Sequence, residues 1–215
     1  GKVSSSSTVK EPFLTRVQFT LSVAIQESYG AKDFLQSISG KILARHDNDE
    51  RESRAGYITA TLVQFGGALD HGITPDRLGD GISGDIAEYW EHLLDVETGR
   101  WKGAIQDAFE ILGTDLLVID CLEVYPRFRG EEIGLAAVGR TIDIFGPGCG
   151  LVACKPWPLQ FTPAFTNNRR KLQRLLPPNT DVDNAVRKLR TYWSRAGFWP
   201  VGQTEIYALS MSQRR

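Results

Sequence analysis

The sequence predicts a single domain of the α/β or α+β class, and three observations support this prediction. Apolar and polar residues alternate near the start of the chain, as they do in half-buried strands. Helical apolar stripes follow in the middle of the chain. After residue 115, strand and helix patterns alternate to the end. The 215 residues suffice for one domain with an insertion, and no repeat period is visible.

The first third of the chain is predicted to contain three strands. Residues 16–28 alternate apolar with polar side chains, which indicates a strand with one buried face. Residues 40–46 and 55–65 have the same character and are separated by a charged turn, so they predict a β-hairpin. Residues 1–11 contain four consecutive serines and predict a flexible tail, which leaves 12–215 as the domain.

Two amphipathic helices are predicted after a Gly/Asp-rich loop over residues 66–84. Apolar residues recur at helical spacing from Ile86 to Leu94 and again from Trp101 to Leu112. Gly113 is expected to end the second helix. Because each helix has one apolar face, each should pack against another element.

The most strand-like segment is 115–125, which is apolar at nearly every position and therefore predicted to be a central strand. A helix is predicted over Ile133–Phe145, ending at Gly146. The remaining elements are a short buried strand from Gly150, a long Pro-rich and basic loop over 156–180, a helix from Val182 to Ala196 ended by Gly197, and a strand pair within 198–211.

Composition excludes several classes of protein. With 25 Lys and Arg against 26 Asp and Glu, the chain is close to neutral and lacks the basic character of nucleic-acid binding proteins. Apolar runs such as Leu116–Ile119 are far shorter than the roughly 20 residues that span a bilayer, so no membrane partner is expected. The three cysteines form no C-x-x-C pair and predict a reducing, cytoplasmic location. The three histidines have no metal-ligand spacing, so we expect no metal site.

Although the net charge is near zero, acidic and basic residues are distributed unevenly along the chain. Between Asp70 and Glu123 there are thirteen acidic residues and three basic ones. Between Asn168 and Arg195 there are eight basic residues and two acidic ones. These segments are either two solvated faces of opposite sign or the recognition surfaces for a cationic and an anionic ligand.

One segment has the features of an anion-binding site. The central strand ends before Pro126, and the chain turns through Gly130 into the helix that begins near Ile133. The first amides of a helix have no intrahelical partner and lie at the positive end of its dipole. Neither a Walker loop nor a dinucleotide fingerprint is present.

These residues resemble a known family. The segment L-E-V-Y-P-R-F-R-G-E-E-I-G (122–134) is similar to the L-x-V-x-P-x-x-R-G-x-G-I-G signature of Gcn5-related N-acetyltransferases, the GNAT family. Y-W-S-R-A-G-F (192–198) resembles the family's Y-x-x-x-G-F segment, and A-G-Y-I-T-A (55–60) resembles the turn into its third strand. The resemblance covers about 40–211 and implies a GNAT-like mixed, mostly antiparallel central sheet flanked by helices, with 70–113 as a helical insertion.

The resemblance implies an acyl-CoA cleft that uses acetyl-CoA as co-substrate. The Val124 backbone would pair with the pantetheine arm, and the amides of residues 129–134 would hold the pyrophosphate. Arg195, or the cluster Arg169, Arg170 and Lys171, would meet the 3′-phosphate. The implied cofactor-binding residues are Leu122, Val124, Arg129, Gly130, Glu132, Ile133, Gly134, Leu135 and Arg195.

Two departures from the family pattern bear on this implication. Glu132 stands where the family's first loop glycine belongs, and Glu131 precedes it. Carboxylates beside a diphosphate repel it, whereas carboxylates in a first helical turn are favoured by the dipole and can point to solvent while their amides still bind. Trp193 stands where the family often has a tyrosine acid, and it lies on the apolar stripe of its helix.

Candidate catalytic residues follow from the needs of acetyl transfer, which are a base for the amine and an acid for the leaving thiolate. Glu123 is the preferred base, acting directly or through water, and its alternative is an ion-paired carboxylate at a strand end. The period-2 rule places Asp120 on the opposite face and Cys121, treated as a buried thiol, on the same face. Tyr192 is the candidate acid if its helix is suitably rotated.

Two functions therefore remain open. The first is an acetyl-CoA-dependent N-acetyltransferase that acts by direct attack on a small-molecule or peptide amine, with the acidic insertion favouring a cationic acceptor. The second is a catalytically inactive module of the same fold for ligand sensing or protein interaction, which Glu131, Glu132 and Trp193 favour. The sequence leaves the oligomeric state open between monomer and homodimer.

Overall fold

A computed structural model of the chain describes residues 14–22, 30–45, 51–74, 77–78, 84–95, 97–163, 167 and 181–214. They form a seven-stranded sheet with helices on both faces. The strands are β1 (Leu14–Leu21), β2 (Leu35–Arg45), β3 (Ser53–Val63), β4 (Asp115–Val124), β5 (Cys149–Cys154), β6 (Trp199–Pro200) and β7 (Tyr207–Ser210). The helices are α1 (Phe65–Asp70), α2 (Gly84–Leu93), α3 (Gly103–Phe109), α4 (Ile133–Phe145) and α5 (Val182–Arg195).

The sheet has the strand order β1-β2-β3-β4-β5-β7-β6 and is mostly antiparallel. The one parallel pair joins β4 to β5. The predicted hairpin is confirmed as β2–β3, which pairs from Leu35 opposite Val63 to Ala44 opposite Ser53. The prediction that 115–125 is central is also confirmed, because β4 is the fourth of the seven strands.

Helices cover the two faces of the sheet separately. On one face, α1, α2 and α3 bury their apolar stripes against β3, β4 and β5, with the rings of Phe65 and Trp90 4.5 Å apart at the centre. On the other face, α4 and α5 pack through Ile142 and Trp193. Both predicted amphipathic helices of the 70–113 segment, α2 and α3, thus share one face, which we call the insertion face.

Three details differ from the sequence predictions. Residues 66–84 were expected to be a loop, but α1 spans Phe65–Asp70 and buries Phe65 and Ala68. Helix α3 ends at Phe109 rather than at Gly113, because Glu110 takes the left-handed conformation with φ of 48°. Leu112 therefore lies outside the apolar stripe and is 88% exposed. Gly113 instead permits close packing, since a Cβ there would lie 2.6 Å from the Gly148 carbonyl oxygen.

Other predictions fall outside the described residues. These are the tail over 1–11, the end of the first predicted strand over 23–28, and the cluster Arg169, Arg170 and Lys171. Among the described residues, no helix combines the length and apolar character that crossing a bilayer requires. None of the three cysteines, which all lie among the described residues, forms a disulfide. Cys149 and Cys154 are buried, whereas Cys121, which was expected to be buried, is partly exposed.

Candidate active site

A cleft opens in the middle of the sheet where β4 extends beyond the end of its parallel neighbour, β5. The β4–β5 ladder runs from Asp115 opposite Cys149 to Ile119 opposite Cys154, where β5 ends. Strand β4 continues to Val124 and stays paired on its other side with β3. The last five residues of β4 therefore form an edge inside the sheet, on the side that faces away from β3.

The register of β3 shows which backbone groups point into this opening. The Tyr125 amide donates to the Ala55 carbonyl at 2.7 Å, so Tyr125 directs its hydrogen-bonding groups toward β3. In an antiparallel pair this direction alternates, which turns the N–H and C=O groups of Leu122 and Val124 toward the cleft. The Val124 carbonyl accepts a bond of 2.8 Å from Arg129 Nε. An extended ligand can pair with such an edge, and Arg129 would have to share Val124 with it.

The cleft has a volume of about 680 Å³ and is lined by eleven of the site residues predicted from the sequence. Its walls are the end of β4, the start of α4, the segment after β5 and one side of α5. The eleven predicted residues lining it are Leu122, Glu123, Val124, Arg129, Gly130, Glu132, Ile133, Gly134, Leu135, Tyr192 and Arg195.

The N-terminus of α4 forms one wall of the cleft. Gly130 has φ of 84° and Glu132 has φ of 56°, so the chain passes twice through the left-handed region before the helix begins at Ile133. The first amides of α4 lie at the positive end of the helix dipole. A Cβ at Gly134 would overlap the Tyr192 hydroxyl oxygen and lie 3.1 Å from Val124 Cγ2. Glycine at 134 therefore lets α5 and β4 approach this helix end closely.

Glu132 is paired across the cleft mouth. Its carboxylate accepts a short hydrogen bond from Arg195 Nη2, so the pair joins the start of α4 to the last residue of α5. Both side chains are more than half exposed. Arg195, which the sequence assigned to a phosphate, therefore already holds a carboxylate.

Glu123 is the most unusual side chain of the site. It is 1% exposed, and neither carboxylate oxygen has a hydrogen-bond partner among the described residues. A carboxylate without a hydrogen-bond partner is costly to bury, and such groups are concentrated at functional sites. The carboxylate does act on Arg129: burial lowers the pKa of that guanidinium, and the charge of Glu123 opposes the shift.

The faces of β4 differ from those predicted, because the strand contains a bulge. The register with β3 shifts between Ile119 and Cys121, which leaves Asp120 as the extra residue. Asp120 Oδ2 accepts from Thr61 Oγ1 at 2.9 Å, while Cys121 lies opposite Thr59 and Glu123 opposite Tyr57.

The partners of these three residues, Tyr57, Thr59 and Thr61, alternate along β3 and share one face with Val63, which packs in the core of the insertion face. Asp120, Cys121 and Glu123 thus lie on the insertion face together. The prediction that Asp120 and Glu123 lie on opposite faces is wrong.

Tyr192 lines the cleft, whereas Trp193 is buried in the core. Burial raises the pKa of Tyr192 to about 12, with the Glu132 charge adding to the shift and the Arg195 charge opposing it. The Tyr192 hydroxyl is therefore protonated at neutral pH and lies against Gly134. Trp193 is 6% exposed and packs edge-to-face on Phe198 with ring centroids 5.1 Å apart, so its prediction as a core residue is confirmed.

Sequence reasoning missed the wall that follows β5. Lys155, Trp157 and the residues 158–160 line the cleft, as do Ala185, Lys188 and Leu189 of α5. Lys155 also forms an ion pair with Glu88 of α2, which brings the insertion to the cleft. The feature that could have predicted this wall is the parallel arrangement of β4 and β5, because the residues that follow two adjacent parallel strands lie at the same edge of the sheet.

The described residues contain no group of three His, Cys, Asp or Glu side chains that could hold a metal ion. Comparison of the chain with protein family models, curated protein sequences and solved structures finds no significant match to any of them.

Proposed function

We propose that the chain is an acetyl-CoA-dependent N-acetyltransferase that transfers an acetyl group to an amine. The observation that carries this proposal is Glu123, a buried carboxylate without a hydrogen-bond partner among the described residues, in the wall of a cleft at an open strand edge. A group of this kind is suited to accept a proton from an amine that enters the cleft.

The residues present fit an acyl-CoA. The inner edge of β4 offers the backbone groups of Leu122 and Val124 to the two amides of a pantetheine arm. The first turn of α4 and the guanidinium of Arg129 offer amides and a positive charge to a diphosphate. The volume of about 680 Å³ is within the range of small-molecule sites, roughly 300–1,000 Å³.

Two side chains would move the protons of the reaction. Acetyl-CoA supplies the thioester that the amine attacks; the new carbon–nitrogen bond forms as the carbon–sulfur bond breaks. Glu123 would take the proton that the amine loses, directly or through water. Tyr192, which is protonated at neutral pH, would donate its hydroxyl proton to the leaving thiolate and then take up a proton from solvent.

The acceptor is proposed to be a cationic amine that approaches over the insertion face. Glu123, Cys121 and Asp120 lie on that face. The insertion carries exposed acidic side chains, including Asp95 and Glu97, and its Glu88 reaches the cleft wall through an ion pair with Lys155. A negative field of this kind attracts an amine, which is protonated in solution and loses its proton only near the base.

A second candidate function is a ligand-sensing or protein-interaction module without catalysis. Glu132 favours it, because a carboxylate occupies the Arg195 guanidinium at the mouth of the cleft. The burial of Trp193 favours it too, since the family's usual acid position cannot donate a proton here.

Calorimetry with acetyl-CoA, followed by thiol release with a panel of amines, separates the two functions. The transferase should bind acetyl-CoA and release thiol with at least one cationic amine. Binding without release for any amine would favour the sensing module. Absence of binding at millimolar acetyl-CoA would refute the transferase.

A further inference from the structure

We infer that Glu132 sets the donor specificity of the cleft by competing with phosphate groups for Arg195. This inference rests on the proposed function and concerns one part of the donor, its nucleotide end. A phosphate-bearing donor would have to displace the Glu132 carboxylate, whereas an acyl-pantetheine without the nucleotide would not.

The backbone conformation of Glu132 is the first observation. Its φ of 56° is left-handed, a region that non-glycine residues enter at a cost. The residue lies immediately before α4, and its own side chain makes no capping hydrogen bond to the helix. Neither backbone preference nor capping therefore explains a glutamate here.

The Arg195 contact is the second observation. The Glu132 carboxylate lines the cleft and takes its hydrogen bond from Arg195, 63 residues further along the chain. This places an anion of the protein beside two features suited to the phosphate groups of a nucleotide, the first turn of α4 and the last cationic side chain of α5. An anionic ligand and this carboxylate cannot both hold the Arg195 guanidinium in the same geometry.

The size of the effect follows from the exposure of the pair. Both side chains are more than half exposed, so their attraction is screened by solvent. An exposed pair of this kind corresponds to a change of roughly 1.5-fold to fivefold in affinity. The carboxylate would thus weaken the binding of nucleotide-bearing donors without preventing it.

The test compares acetyl-CoA with acetyl-pantetheine by calorimetry at low salt. Glu132→Gln removes the charge and keeps the side-chain length. Glu131→Gln is the matched control, because it removes the same charge one residue away and Glu131 is not among the residues lining the cleft. We expect Glu132→Gln to tighten acetyl-CoA binding by about 1.5-fold to fivefold and to leave acetyl-pantetheine binding unchanged, with no change for either donor in Glu131→Gln.

A second arm tests the role of Arg195. In an Arg195→Gln background, Glu132→Gln should no longer improve acetyl-CoA binding, because the competition has been removed. Equal tightening of both donors, or no tightening of acetyl-CoA, would overturn the inference while the wild-type protein still binds acetyl-CoA. If neither donor binds to any variant, both the proposed function and this inference are refuted.

Discussion

Replacing Glu123 by glutamine should make the protein more stable and, under the proposed function, nearly inactive. The carboxylate is 1% exposed and has no hydrogen-bond partner among the described residues, so its charge is buried without compensation from hydrogen bonds. Glutamine has the same shape without the charge. A protein that keeps a destabilising group in a ligand cleft is expected to use that group.

The magnitude follows from two opposing contributions. Glutamine also leaves polar atoms without a hydrogen bond here, so the substitution recovers only the extra cost of burying a charge in place of a neutral amide, about 1–3 kcal/mol. Loss of the attraction to the exposed Arg129 offsets up to about 1 kcal/mol of this gain. The net gain is about 1–2 kcal/mol, which for a chain of this size raises Tm by roughly 2–8 °C.

Thermal unfolding and thiol release are the two measurements. Turnover should fall by a factor of about 10²–10⁴, the usual contribution of a general base. The exposed Glu97→Gln in the insertion is the matched control and should change unfolding by less than about 0.5 kcal/mol. A Glu123→Gln protein with a lowered Tm would refute the packing argument, and one with wild-type turnover would remove Glu123 from the mechanism.

Three further predictions concern other parts of the fold. Gly134→Ala should destabilise the protein by about 1–3 kcal/mol in a denaturant titration, because the added Cβ would overlap the Tyr192 hydroxyl. Adding Tyr192→Phe to this variant removes the hydroxyl and should recover most of the lost stability in the same titration. Asp181→Ala should cost about 1 kcal/mol in the same assay, because the Asp181 carboxylate accepts the first-turn amide of α5 at 2.8 Å, and an unchanged midpoint would contradict the cap. In the native protein, the partly exposed Cys121 should react with a thiol reagent at pH 8. Burial raises the pKa of Cys149 to about 12, so Cys149 should stay protonated and unreactive until the protein unfolds or the pH is much higher. Equal reaction rates for the two cysteines would contradict this order.

The elements with strong local patterns were the predictable ones. Helix α4 begins at Ile133 and ends at Phe145 as its apolar spacing and Gly146 predict, and β4 is central as its continuous apolar run predicts. Nine of the eleven proposed site residues lie within 122–135, where a strand end and a helix start adjoin in sequence, and all eleven line one cleft. These features depend on residues that are neighbours along the chain.

What the sequence did not predict depends on distant partners. The bulge at Asp120 is a property of the register between β3 and β4, and no local pattern marks it. Lys155 enters the cleft because β5 happens to be parallel to β4 and shorter. The pairing of Glu132 with Arg195 requires the end of α5 to lie beside the start of α4, which only the packed structure shows.

The bulge also bears on how two substrates could meet in one cleft. Before it, β4 alternates regularly between the two faces of the sheet; after it, Glu123 is on the insertion face, while Leu122 and Val124 pack toward α4. Because this part of β4 is an inner edge, side chains from both faces line the same cavity. Under the proposed function, a cationic acceptor would reach Glu123 from the acidic insertion face, and the donor would lie along β4 toward α4 and Arg195. The acidic insertion and the basic residues of α5 would then lie on opposite faces of the sheet, on either side of the place where the amine and the thioester react.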